Sequence, residues 1–174
     1  IPLRLVGSEM CIRDSSIILT YNFRFVKLIN INMKEIFSNE FYDIVKDTQT
    51  RTGLELPVHI EAYIVMLLST YVERDDIPPV CTFAELFMTI KTSGEAKELG
   101  DMCLFVSGVF PLYKKRYGAN RRYYQDIGST SYDIASDINA ELFPTLSKHF
   151  VFLSNFIDTT VNSSKDVQLS LIHI

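Results

Sequence analysis

The stretch "EAKELGDMCLFVSGVF" (Glu95–Phe110) decides the fold. Leu99, Cys103, Val106 and Phe110 recur at helical spacing, and Met102, Phe105 and Val109 form a second stripe beside them. A helix that is apolar over so wide an arc is expected at the centre of an assembly, where several neighbours cover it.

Working outward, the flanking segments carry the same period. Phe37, Phe41, Ile44 and Val45 mark an amphipathic helix, with Ser38 as a possible cap and Gly53 just past its end. Pro57 suits the first turn of the next helix, because its missing N–H would be unpaired there anyway. Ile60, Ile64, Leu67, Leu68 and Tyr71 continue it until the charged run Glu73–Asp76 and the pair Pro78-Pro79. Thr82 and Glu85 have the spacing of a capping box for a third helix, with Phe83, Leu86, Phe87 and Ile90 on its core face. Thr92–Gly94 reads as a turn before the central helix. Asn120 can cap a fifth helix through Tyr124, Ile127, Ser131, Ala135 and Ile138, and Pro144 opens a sixth with Leu146, Phe150, Leu153 and Ile157 inward. No segment alternates as a strand would. The fold class is therefore all-α, a compact array of about five or six helices, orthogonal or up-and-down.

The chain ends raise a separate question. Met10–Ser15 permits the back-translation ATG TGT ATA AGA GAC AG, and Leu169–Ile174 permits its reverse complement in a shifted frame. The pair resembles the mosaic end that transposase-based sequencing libraries attach to both ends of a fragment, and Val6–Glu9 resembles the translated tail upstream of it. On this reading residues 1–15 and 169–174 are adapter-derived scars. Residues 16–32 read as translated leader, with Met33 as the start; Arg24, Lys27 and the lack of a small-residue cleavage site argue against a signal peptide or membrane anchor. The expectation is one helical domain over residues 33–168, cut short at its C-terminal side, from a bacterial metagenomic fragment. Cys11 and His173 then carry no weight as site residues.

Chemistry concentrates in Leu99–Tyr132. Gly100, Gly108 and Gly128 interrupt helical patterns at about 1 kcal/mol each relative to alanine, which points to close backbone packing. Pro111 cannot bond the carbonyl of Ser107 and would kink a continuing helix. Asp101 falls in the first two turns of the central helix, and burial would require a partner, for which Arg121 and Arg122 are candidates. Ser107 and Tyr124 complete a candidate ligand-binding set with Asp101, Arg121 and Arg122. Tyr123, Tyr124 and Tyr132 read first as core-edge aromatics with a solvated hydroxyl, and only second as a ligand box.

Several residues in this stretch are similar to a pattern shared by an uncharacterised group of bacterial all-helical proteins. They are Leu99, Gly100, Asp101, Leu104, Phe105, Ser107, Gly108, Phe110, Tyr123, Tyr124, Gly128 and Tyr132. The resemblance implies an all-helical, prokaryotic protein and assigns no activity.

Other classes are disfavoured. The formal net charge of −4 argues against nucleic-acid or anionic-membrane partners. The basic, aromatic run Lys114–Arg122 is the one stretch that suits RNA, though Lys114, Lys115 and Arg116 also suit a helix C-terminus, and Arg121 and Arg122 can pair with acidic residues such as Asp126. Cys81 and Cys103 lack metal or redox spacing, and a reducing cytoplasmic setting fits them. His59 and His149 have no base–nucleophile or metal partner in the pattern, so no metal or cofactor is expected. The preferred expectation is a non-enzymatic, cytoplasmic interaction or regulatory domain with a protein partner. The alternatives are a small-anion or metabolite site around Asp101, Arg121 and Arg122, and RNA binding through Lys114–Arg122.

Overall fold

The central helix runs Ser93–Val109, the fourth of seven α-helices among the described residues. The computed structural model describes residues 34–72, 80–110 and 120–172, with side chains over 39–71, 82–110 and 120–162. The helices are α1 (Lys34–Thr52), α2 (Val58–Val72), α3 (Val80–Thr89), α4 (Ser93–Val109), α5 (Arg121–Ile134), α6 (Leu142–Lys148) and α7 (Phe150–Ile172). The described chain holds no strand, so the array is all-α, with more helices than the five or six expected.

Every residue from 99 to 108 is buried, a wider arc than the two apolar stripes, whose last members Val109 and Phe110 are half-buried. α4 touches α2, α3, α5 and α7; α1 lies against α2 and α7. α5 runs antiparallel beside α4, since Gly100 meets Tyr132 while Cys103 meets Gly128.

The start of α4 differs from the reading at Glu95. Thr92 is the N-cap, with extended backbone (φ −132°, ψ 152°). Its hydroxyl accepts from Glu95 N at 3.2 Å, and Glu95 Oε2 accepts from Thr92 N at 3.3 Å, a complete capping box. The same Thr-x-x-Glu spacing at Thr82 and Glu85 marks no cap. α3 already begins at Val80, so Thr82 lies inside helical backbone. Ala84 N, on the fifth residue of α3, also reaches the Tyr123 hydroxyl at 3.0 Å, which ties α3 to α5.

At the end of α1, Gly53 takes φ 67°, the left-handed value that a side chain disfavours. Leu54 N then reaches back to Gln49 O at 3.2 Å, the 6→1 bond of a Schellman ending. Ser38 does not cap α1, which is already helical from Lys34. The run 73–79 that was expected to end α2 lies outside the described residues.

Asn120 caps α5, its Oδ1 accepting from Arg122 N at 3.2 Å. The helix stops at Ile134 and passes into a 3-10 turn, Ala135–Asp137, so Ile138 is half-exposed at 49 % and not inward. Asn139 opens α6, with Oδ1 accepting from Glu141 N and Leu142 N, both at 3.0 Å. The expected sixth helix is two: the chain bends at His149 (φ −104°, ψ 15°). Phe143, Leu146, Phe150, Leu153 and Ile157 are all buried across that bend. Their spacing runs through it without a break, which is why periodicity alone merges α6 with α7.

Candidate functional site

Asp101 sits in the third turn of α4 because the helix starts at Ser93, beyond the reach of the N-terminal dipole. It is 4 % exposed. A carboxylate that deep needs several donors. Tyr63 of α2 donates its hydroxyl to Oδ1 at 2.5 Å, and Tyr132 of α5 donates to the same oxygen at 2.8 Å. Lys97, one turn earlier on α4, donates to Oδ2 at 2.7 Å and lies 5.8 Å from the centre of the Tyr63 ring. One carboxylate therefore joins α2, α4 and α5. Phe143 of α6 covers the group, edge-on to Tyr63 at 6.1 Å and tilted against Tyr132 at 5.7 Å.

Burial pushes both phenols well above their ordinary range, and the Asp101 charge adds to it. A tyrosine that holds its proton so firmly is a poor general base or nucleophile at neutral pH. Lys97, with 34 % of its side chain exposed, is the cluster's link to solvent.

The expected partners of Asp101 are a correction. Arg121 is at the other end of α5, eleven residues before Tyr132, a separation of about 16 Å at 1.5 Å rise per residue. Its guanidinium serves α7: Nε donates to Ser154 Oγ at 3.1 Å, Nη2 to Ser154 O at 2.7 Å and Nη1 to Asp158 at 3.1 Å. Arg122 turns outward, with 79 % of its side chain exposed and Asp126 at 3.7 Å. Ser107 is buried and donates to Leu104 O of its own helix at 3.2 Å. Tyr124 is buried with its ring edge-on to Phe83 at 5.2 Å and to Tyr123 at 5.2 Å. The polar tips of Asp101, Ser107, Arg121 and Arg122 thus engage four separate sets of atoms.

The glycines mark where helices close on one another. A Cβ on Gly100 would stand 2.6 Å from the Tyr132 ring, and one on Gly108 would stand 2.6 Å from Ile157 of α7. A Cβ on Gly128 would run into the Phe150 ring and lie 2.7 Å from Cys103 Cβ. Pro111 and Lys114–Ala119 fall outside the described residues, as does the side chain of Cys81.

A second buried carboxylate escaped the sequence reading. Glu61 of α2, 5 % exposed, accepts from Lys46 Nζ at 2.7 Å and Gln49 Nε2 at 2.6 Å, both on α1. Gln49 Oε1 also accepts from Leu56 N at 2.7 Å, which fastens the α1–α2 loop. Burial alone would raise the Glu61 carboxyl, but the bonds from Lys46 and Gln49 outweigh it and leave it below its ordinary value. Lys97 was open to detection, since a cation four residues before a helical aspartate faces it. Tyr63 and Glu61 carried no such signal.

Both His59 and His149 are exposed. Among the described residues no group of three or more His, Cys, Asp or Glu could hold a metal ion, and no helix is long and apolar enough to cross a membrane. No protein-family model, curated protein or solved structure matches the chain.

Proposed function

We propose that this chain is a non-enzymatic, all-helical domain that works through protein contacts in the cytoplasm. The outer face of α2 carries this reading. Val58, Ala62 and Met66 repeat every four residues and are exposed, Val58 at 81 % and Met66 at 48 %. Ile60, Ile64, Leu67 and Leu68 of the same helix are buried. α2 is therefore apolar on both sides, and an outward apolar stripe at this spacing suits a helix-and-groove contact. The inward polar groups support the same reading, since Asp101, Glu61 and Arg121 are engaged by other parts of the chain. The contact of Gly100, Asp101 and Tyr132 supports the reading too, since the three pack α4 against α5.

The test compares capture of a binding partner from the source cells by the native chain and by a Val58→Glu/Met66→Glu double variant. The reading expects a partner lost in the variant, with the melting temperature unchanged. Equal capture by both chains contradicts it. So does a ligand-induced melting shift in a panel of phosphate and anionic metabolites, the result that the Asp101, Arg121 and Arg122 alternative expects. For RNA through Lys114–Arg122, the corresponding result is a salt-sensitive shift with single-stranded RNA that Arg122→Ala weakens.

A further inference from the structure

We infer that Gly100 and Asp101 act together as a register key, fixing the rotation of α4 against α2 and α5. The problem they address follows from the sequence. From Leu99 to Gly108 the helix is buried on every side, and apart from Asp101, Ser107 and the glycines its side chains are all hydrophobic. Such a helix can turn by one residue, about 100°, and still bury apolar surface. Burial by itself therefore leaves its rotation weakly specified.

Two neighbouring residues read one tyrosine. The Tyr132 ring lies over Gly100, where a Cβ would come within 2.6 Å of it. The hydroxyl of the same side chain donates to Asp101 Oδ1 at 2.8 Å. A rotation of one residue would swing a side chain into the ring and withdraw the carboxylate from the hydroxyl in the same movement. Tyr63 repeats the reading from α2, on the same oxygen at 2.5 Å. Lys97 adds charge balance from within α4, and its ammonium lies 5.8 Å from the centre of the Tyr63 ring on α2. Ser107 carries no information about neighbours, because its hydroxyl bonds its own helix. Among the described residues, Asp101 is the one side chain of residues 99–108 that hydrogen-bonds to another helix. A buried polar group of this kind is best attested as a device that selects register, and an apolar replacement can leave stability intact.

The experiment uses the full chain with a Tyr63→Phe/Asp101→Leu/Tyr132→Phe triple variant beside Asp101→Asn, which keeps an acceptor oxygen for the tyrosines. The triple variant is expected to keep its far-ultraviolet helix signal. It should lose the near-ultraviolet signal of its tyrosines, show collapsed amide dispersion by NMR and bind an apolar dye, the marks of a chain with helices but no unique packing. Asp101→Asn is expected to retain the native near-ultraviolet spectrum. A triple variant with native dispersion overturns the inference, because apolar packing alone then sets the register. Loss of the helix signal overturns it as well, since the cluster would then supply stability rather than choice. Loss of the near-ultraviolet signal in Asp101→Asn would assign the effect to the Lys97 charge pair and also overturn it.

Discussion

The two ends of the α4–α5 pair are closed in opposite ways. At one end the buried Asp101 gathers hydroxyls from Tyr63 and Tyr132 and an ammonium from Lys97. At the other the Arg121 guanidinium, 16 % exposed, spreads over Ser154 and Asp158 of α7. The first node has an acceptor at its centre and lies deep. The second has a donor at its centre and borders solvent. Opposite charges in one stretch of sequence invite pairing, yet antiparallel packing sends these two apart. What brings charges together in a helical array is position along each helix, and sequence proximity says little about it.

If that contrast is real, the two nodes differ in what they lose on mutation. Asp101→Ala strands two buried hydroxyls and unpairs Lys97, and should cost about 3 to 5 kcal/mol in urea unfolding. A loss under about 1 kcal/mol would show the node to be open to water. Gly128→Ala should cost about 2 kcal/mol by overpacking against Phe150 and Cys103, despite the gain of about 1 kcal/mol that alanine brings to a free helix. A stabilised variant would mean that α4, α5 and α7 stand further apart than described. Arg121→Ala should cost less, about 1.5 kcal/mol, because Asp158, the charged group left behind, borders solvent.

The pH dependence separates the phenols of one buried cluster from the carboxyl of the other. Tyr63 and Tyr132 have folded pKa values raised above the ordinary 10.0. Below pH 10 both states keep the phenol protons; above it the unfolded chain releases them first, so stability falls as pH rises. Tyr63→Phe should flatten that alkaline slope in melting curves. Glu61 is lowered from 4.5, so its contribution is present above that pH and is lost as pH falls through the folded value. Lys46→Met should weaken the acid slope, the smallest of these effects, since Lys46 is exposed and water screens its pairing with Glu61. An unchanged slope in either variant would place the titration elsewhere.

Periodicity carried the helices because burial follows it closely. In α4 burial takes in the stripes from Leu99 to Val106 and extends beyond them to Gly100, Asp101, Leu104, Ser107 and Gly108, while Asn120 and Gly53 mark a helix start and a helix end as their chemistry requires. The boundaries were harder where one pattern serves two structures. Thr82-x-x-Glu85 and Thr92-x-x-Glu95 are alike on paper, and only the second stands where amides are free. The bend at His149 leaves the apolar spacing untouched and so leaves no trace in it. Within the candidate site, Asp101, Gly100 and Tyr132 stood out by type and setting. Tyr63 did not, because a tyrosine on an apolar stripe announces that its hydroxyl needs a partner without saying which.

A double-mutant cycle tests the central claim most directly. Asp101→Ala and Tyr132→Phe should couple by about 2 kcal/mol, whereas Asp101→Ala and Arg121→Ala should add within about 0.5 kcal/mol. Additivity in the first pair, or coupling of 1 kcal/mol or more (roughly a fivefold change in equilibrium) in the second, would contradict the account.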